Sequence, residues 1–182
     1  VWEMACRKLQ EWKLRGRNDM YLSVNISTRD FYFIDVYQVF TELIEKYDIE
    51  PKNLKLEITE TAVMMNLQEQ LKLIAKLRAA GFVIEMDDFG SGYSSLNMLK
   101  EICVDILKVD MAFLEKTGDE ERGRKILKMV IELSKGLGMP VITEGVETEE
   151  QLQYLTEIGC DMFQGYYFAK PMEVEAFEQK YM

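Results

Sequence analysis

Six short apolar runs, each stopped by a polar residue, alternate along this chain with segments of helical periodicity, and that alternation restricts its fold more than any other feature. The runs are 21–24 before Asn25, 54–56 before Glu57, 82–86 before Asp87 and Asp88, 104–107 before Lys108, 140–143 before Glu144, and 161–163 before Gln164 and Gly165. Helical spacing of apolar residues predicts helices over 34–47, 66–80, 93–101, 120–137, 148–158 and 173–181, with a leading helix over 2–14. Strands that alternate with helices imply a parallel sheet with its helices outside. Six such units behind an orphan helix predict an α/β chain, part of a TIM-like (β/α)8 barrel whose first strands precede residue 1. A barrel of that kind brings residues from several strand ends to one face. The first strand runs into Asn25-Ile26-Ser27 rather than a glycine-rich turn, which argues against a dinucleotide-binding sheet. The stretch 111–119, with Gly118, reads as a surface loop, and no domain boundary, low-complexity segment or repeated sequence unit is visible.

The third strand closes on two adjacent acids, in Met86-Asp87-Asp88-Phe89-Gly90-Ser91-Gly92-Tyr93-Ser94-Ser95-Leu96. Two like charges about 4 Å apart repel by about 4 kcal/mol at an effective dielectric near 20. A chain keeps such a pair most readily when a cation lies between the acids, so the segment points to a metal site facing a ligand.

Composition narrows the chemistry. Histidine is absent, which excludes a Ser-His-Asp or Cys-His nucleophile and any histidine-bound zinc. Metal would have to be held by oxygen, which favours Mg²⁺ or Mn²⁺, with Ca²⁺ as the alternative. The formal net charge of −10 disfavours nucleic-acid polymers and anionic membranes. No apolar stretch approaches the roughly 20 residues of a membrane helix. Cys6, Cys103 and Cys160 lack metal spacing and read as reduced, buried thiols in a cytoplasmic protein, and the 12 methionines read as core filler. The chain begins without an initiator methionine, so it is expected to be part of a longer protein.

Asn25, Glu57, Asp87, Asp88 and Glu144 are expected to meet at the barrel mouth. Their oxygens suit hard divalent cations, and two metals bridged by Asp87 or Asp88 would grip the attacking and leaving oxygens of a phosphoryl transfer. The plainer alternative makes each one a capped or solvated residue at a strand end. Lys108 would neutralise the acids, hold a water or contact a phosphate, or else form a purely structural salt bridge; a Schiff-base role is disfavoured because nearby acids raise its pKa. Glu60 reads as a first-turn carboxylate of the next helix or as a tether for the loop 90–95. Glu147 reads as a helix cap near Thr148 or as a site acid. Gln164 reads as a hydrogen-bonding group at the rim, and Tyr166, Tyr167 and Phe168 read as core.

Taken in order, Asn25-Ile26-Ser27, Glu57-Ile58-Thr59-Glu60, Asp87-Asp88-Phe89-Gly90-Ser91-Gly92-Tyr93-Ser94-Ser95-Leu96, Lys108-Val109-Asp110, Glu144-Gly145-Val146-Glu147 and Gln164-Gly165-Tyr166 resemble the EAL domain family, the phosphodiesterases of bacterial cyclic di-GMP. The resemblance runs from about residue 2 to 178 and makes 1–182 one EAL domain, incomplete at its N-terminus. It implies two Mg²⁺ or Mn²⁺ ions and water attack on one phosphodiester, giving linear pGpG. By position, Asn25, Glu57, Asp87, Asp88 and Glu144 would bind metal, and Lys108 would orient or deprotonate the water. Gln164 would support the water or metals. Glu60 would hold the loop carrying Ser91 and Gly92, Asp110 would support the ligand site or that loop, and Glu147 would lie behind the metals or beside the ligand. Ser91 stands where the family more often has threonine.

The Glu-Ala-Leu strand that names the family is absent. The chain is therefore expected to lack two strands and one metal ligand, to bind metal poorly and to turn over slowly by itself, within a parent protein that is a competent hydrolase. The resemblance also implies a homodimer and fused sensory or cyclase domains outside this chain. The competing reading is a catalytically inactive EAL domain serving as a cyclic di-GMP receptor or protein-docking module; retention of the visible acids favours the enzyme. An unrelated metal-dependent barrel is disfavoured by the order of the motifs.

Overall fold

Parallel pairing joins six strands in chain order, β1 (Leu22–Ile26), β2 (Leu54–Thr59), β3 (Ile84–Asp87), β4 (Ile106–Asp110), β5 (Val141–Glu144) and β6 (Met162–Phe163), with β1 and β6 at the edges of the sheet. The computed structural model describes residues 1–90, 96–111 and 120–182. α1 (Trp2–Leu14) precedes the strands, α2 (Thr28–Phe33), α3 (Val36–Tyr47), α4 (Glu60–Met64), α5 (Leu67–Ala79), α6 (Leu96–Glu101), α7 (Glu120–Gly136) and α8 (Glu149–Glu157) run between them, and α9 (Val174–Tyr181) follows. The strand–helix alternation read from the chain is thus the observed architecture.

Alternation within the strands divides the sheet into two chemically opposite faces. Successive side chains point to opposite sides, so residues two apart share a face. Leu54, Leu56 and Ile58 of β2, Ile84 and Met86 of β3, Leu107 and Val109 of β4 and Val141 of β5 are all buried in one apolar cluster. Helix side chains complete it, among them Leu9 of α1, Phe40 of α3, Leu77 of α5 and Leu127 of α7. Phe40 is fully buried, with the Trp2 ring 4.7 Å and the Phe82 ring 6.0 Å away. Side chains of this kind contribute roughly 1.5–3 kcal/mol each when fully buried. The other face carries Lys55, Glu57, Glu85, Asp87, Lys108 and Glu144.

Local capping explains where helices depart from expectation. The helix expected over 34–47 begins at Val36, because Asp35 accepts the Gln38 N–H at 2.9 Å and caps it. Two helices were not expected: α2, capped reciprocally by Ser27 and Asp30, and α4, capped by Thr59. Both are too short to show periodicity. Of the helix expected over 93–101, α6 is the described part, and residues 112–119 of the expected loop, Gly118 included, lie outside the described residues.

Two compositional expectations need correction. Only Cys6 is fully buried; Cys103 is exposed and Cys160 intermediate, with its thiol 3.1 Å from Thr143 Oγ1. Met4, Met64, Met65 and Met129 are exposed rather than core, because each falls on the solvent side of its helix or at a helix end.

The two ends of the chain are clasped together by one carboxylate. Trp12 Nε1 donates to Glu178 Oε1 at 2.8 Å, Arg15 donates to Oε2 at 2.9 Å and Lys8 Nζ donates to Oε1 at 3.3 Å, while the Phe177 ring packs 6.0 Å from that of Trp12. These donors, the indole first, hold the Glu178 carboxyl down at about 2 against an ordinary value of 4.5. A carboxyl depressed by folding contributes stability that is present above its unfolded pKa and lost as pH falls through its folded one. Acid titration of tryptophan fluorescence is therefore expected to show α9 loosening between pH 4.5 and 2. Glu178→Gln is expected to remove that pH dependence, and a titration unchanged by the substitution would show that α9 docks without the clasp.

Candidate active site at the carboxyl ends of the strands

Four strands deliver one cation and three acids to a common point on the polar face. Lys108 Nζ of β4 lies 2.6 Å from Glu57 Oε1 of β2, 2.8 Å from Glu144 Oε1 of β5 and 3.4 Å from Asp87 Oδ1 of β3. Lys108 is 4% exposed. Register sets this convergence: Glu57 pairs with Asn25 on β1, Thr59 with Asp87, and Asp110 with Glu144. Hydrogen bonds continue the ladder past the strand ends, from Phe89 N–H to the Lys108 carbonyl at 3.2 Å and from Met111 N–H to that of Glu144 at 2.9 Å.

The electrostatics follow from burial and neighbours. Burial pulls the Lys108 ammonium down, but hydrogen bonds to Glu144 and Glu57, together with their charges, outweigh it and hold the group above the ordinary lysine range. Burial pushes the Glu144 carboxyl up; Lys108 opposes that shift, while Asp87 and Glu57 add to it through like charge. Three carboxylates around one ammonium leave a formal surplus of two negative charges. That surplus and the hard oxygen donors fit a divalent cation. Among the described residues no three acids form a ready cage, because the ammonium lies between them.

The loop after β3 is anchored from beneath. Asp88 has a left-handed backbone (φ 56), a conformation that aspartate tolerates better than most residues, and its N–H donates to Asp87 Oδ1 at 3.0 Å. Its own side chain is exposed and lies outside the Lys108 cluster. Glu60, the first residue of α4, is 3% exposed and accepts the Gly90 N–H at 3.3 Å. Glu60 is thus a first-turn carboxylate of α4, and its contact to Gly90 reaches the described edge of the loop it was expected to tether. Ser91 and Gly92 lie outside the described residues.

The remaining candidates sit at the edges. Asn25 on β1 is exposed, and its carbonyl accepts the Trp2 indole N–H at 2.9 Å. Gln164, just past β6, is also exposed and lines an open cleft of about 790 Å³ with Tyr21, Tyr166 and Phe177. Its carbonyl accepts the Val146 N–H at 3.0 Å. Gly165 is obligatory there, since a Cβ would stand 2.1 Å from the Val146 carbonyl oxygen. Asp110 ends β4 exposed, beside Gly145. Glu147 is exposed and does not cap α8; Thr148 and Gln151 form that cap, with the Gln151 amide oxygen taking the Glu147 N–H at 2.7 Å. Tyr166, Tyr167 and Phe168 are 57, 42 and 48% exposed, contrary to the core expectation, because they follow an edge strand that no neighbour covers among the described residues.

Sequence reasoning passed over Ser23, Lys55 and Glu85. The signal was present, since each lies two residues before a candidate ligand and therefore on the same face.

These features define a parallel α/β domain of barrel type, with an acid-rich, lysine-centred site at the carboxyl ends of its strands. The chain belongs to the EAL domain family, whose model matches residues 1–171. It is 36% identical over 175 residues to the signaling protein YkoW of Bacillus subtilis, covering 96% of this chain and 22% of that protein. It is 33% identical over 175 residues to MucR of Pseudomonas aeruginosa, a bifunctional diguanylate cyclase/cyclic di-GMP phosphodiesterase, covering 96% of this chain and 26% of that protein. The chain thus spans about a quarter of the length of the curated relatives it matches. Among solved structures, the PaMucR phosphodiesterase in complex with c-di-GMP superposes with a TM-score of 0.89 at 32% identity, covering 97% of this chain and 71% of that one. BlrP1 of Klebsiella pneumoniae, in a manganese and cyclic di-GMP complex, superposes with a TM-score of 0.81 at 28% identity, covering 93% of this chain and 42% of that one.

Lys108→Met would leave three carboxylates facing one another without their cation. Loss of one partner from a buried ion pair typically costs about 3–5 kcal/mol. Urea unfolding at pH 7 is expected to show a loss of that order. A variant as stable as the wild type at pH 7 would mean the acids are solvated and uncoupled.

Proposed function

We propose that this chain carries the hydrolytic centre for cyclic di-GMP, opening one phosphodiester to give linear pGpG. The observation that carries this reading is the convergence of Glu57, Asp87 and Glu144 on Lys108 in a domain of the EAL family. In the reaction, water adds across one P–O3′ bond, leaving a 5′-phosphate on one side and a 3′-hydroxyl on the other. Asn25, Glu57, Asp87, Asp88 and Glu144 would hold two Mg²⁺ or Mn²⁺ ions, which supply Lewis acidity toward the phosphoryl oxygens. The manganese complex of BlrP1 supports that choice of metal.

The chain's own residues divide the remaining work. Lys108, held among the three acids, would orient or deprotonate the attacking water. Glu60 holds the backbone at Gly90 and so fixes the entry to the loop that follows Asp88. Gln164 offers an amide at the rim, where it can reach water or ligand, and Asp110 and Glu147 border the ligand side. The same reading includes a cytoplasmic setting, a homodimer, and fused sensory or cyclase domains; the naming of MucR as bifunctional supports the last of these. No helix among the described residues is long and apolar enough to cross a membrane.

Hydrolysis of cyclic di-GMP with Mn²⁺ or Mg²⁺ tests the reading, with the chain assayed alone and joined to the Glu-Ala-Leu strand region of a family member. Production of pGpG is expected, faster in the joined form. Asp87→Asn and Asp88→Asn are each expected to lower the rate by about 100-fold or more, since loss even of residues behind a metal ligand costs 10- to 100-fold. Nucleotide binding without turnover in both forms would move the chain to the receptor reading, and undiminished activity in the Asp88 variant would remove that residue from the metal set.

A further inference from the structure

One layer beneath the candidate ligands lies a second, closed set of polar groups. Lys55 Nζ donates to Glu85 Oε1 at 2.9 Å, and Ser23 Oγ donates to Glu85 Oε2 at 2.9 Å. Both carboxylate oxygens are thereby engaged, and Glu85 is 1% exposed. The Lys55 ammonium also lies 3.8 Å from the Tyr21 ring centroid. Ser23, Lys55 and Glu85 stand two residues before Asn25, Glu57 and Asp87, so each shares a face with the candidate ligand above it.

We propose that Glu85 is a positioning residue that sequesters Lys55 away from Glu57 and so preserves the negative surplus of the upper set for a divalent cation. The charges support this division. The lower set is neutral, one ammonium with one carboxylate, while the upper set holds three carboxylates and the single ammonium of Lys108. Residues two apart on a strand are separated by about 6.6 Å, within the sweep of a lysine side chain. Without the Glu85 charge, the Lys55 ammonium would have the Glu57 carboxylate as its nearest strong acceptor on that face. A second ammonium in the upper set would halve the surplus and occupy a ligand oxygen. Glu85 thus acts through Lys55, with Ser23 fixing the carboxylate's orientation.

The inference rests on the metal-binding reading above, and the experiment separates the two. Mn²⁺ affinity is measured on the chain joined to the Glu-Ala-Leu strand region of a family member, as wild type, Glu85→Gln and the double variant Lys55→Met/Glu85→Gln, by the decline of the free-ion paramagnetic resonance signal, with thermal unfolding of each. Glu85→Gln is expected to weaken Mn²⁺ binding by about tenfold, the scale of one added unit charge near the site. The double variant is expected to return to within about threefold of wild type, because no free ammonium remains. Affinity unchanged in Glu85→Gln, or equally weak in both variants, overturns the proposal and leaves Glu85 a structural brace. Absence of Mn²⁺ binding by the wild type overturns the metal-binding reading and this inference with it. If Glu85→Gln does not fold, Glu85→Asp reads the same quantity: a carboxylate one methylene shorter releases Lys55 and weakens Mn²⁺ binding several-fold, and wild-type affinity in that variant overturns the proposal.

Discussion

The contact of the Lys108 ammonium with Glu57, Asp87 and Glu144 sets the terms for the rest of the molecule. Those acids come from three different strands, so their meeting requires the pairing of β2 with β3, β3 with β4 and β4 with β5 to keep one register. A slip of one residue would turn every site side chain to the opposite face and push its apolar neighbours into the polar one. Taking ions out of water costs several kcal/mol apiece, and their attraction offsets this only with close geometry. The apolar face, with Leu56, Ile58, Met86, Leu107 and Val141 against the helices, supplies the stabilisation that the polar face consumes. Sites of this kind depend on a scaffold whose other half is conventionally apolar.

How much of this is legible in the chain depends on whether a feature is local. Glu57, Asp87 and Glu144 can be picked out because each closes a short apolar run, and an acid there has no packing reason to be present. Strand order is legible because short strand–helix units leave parallel neighbours as the simplest arrangement. The helices α2 and α4 are not legible by periodicity, at 6 and 5 residues, although their capping residues Ser27 and Thr59 mark where they start. The exposure of Tyr166, Tyr167 and Phe168 is not legible in their own stretch of residues. It follows from the position of β6 at the edge of the sheet, a property of the assembled strands rather than of any stretch of residues. Lys55 and Glu85 fall between these cases, since alternation places them beneath Glu57 and Asp87, but their pairing needs coordinates.

The position of each strand in the sheet also grades the site by dielectric. Glu57 and Lys108, on the interior strands β2 and β4, are 9 and 4% exposed, whereas Asn25 beside β2 on the first strand and Gln164 just past the last are exposed. Coulombic coupling between charges scales inversely with the effective dielectric, so the same separation couples buried groups several times more strongly than solvated ones. Glu57 and Lys108 occupy enclosed strands, where their interaction is strong and its geometry tightly held. The polar face is therefore most strongly coupled at its middle strands.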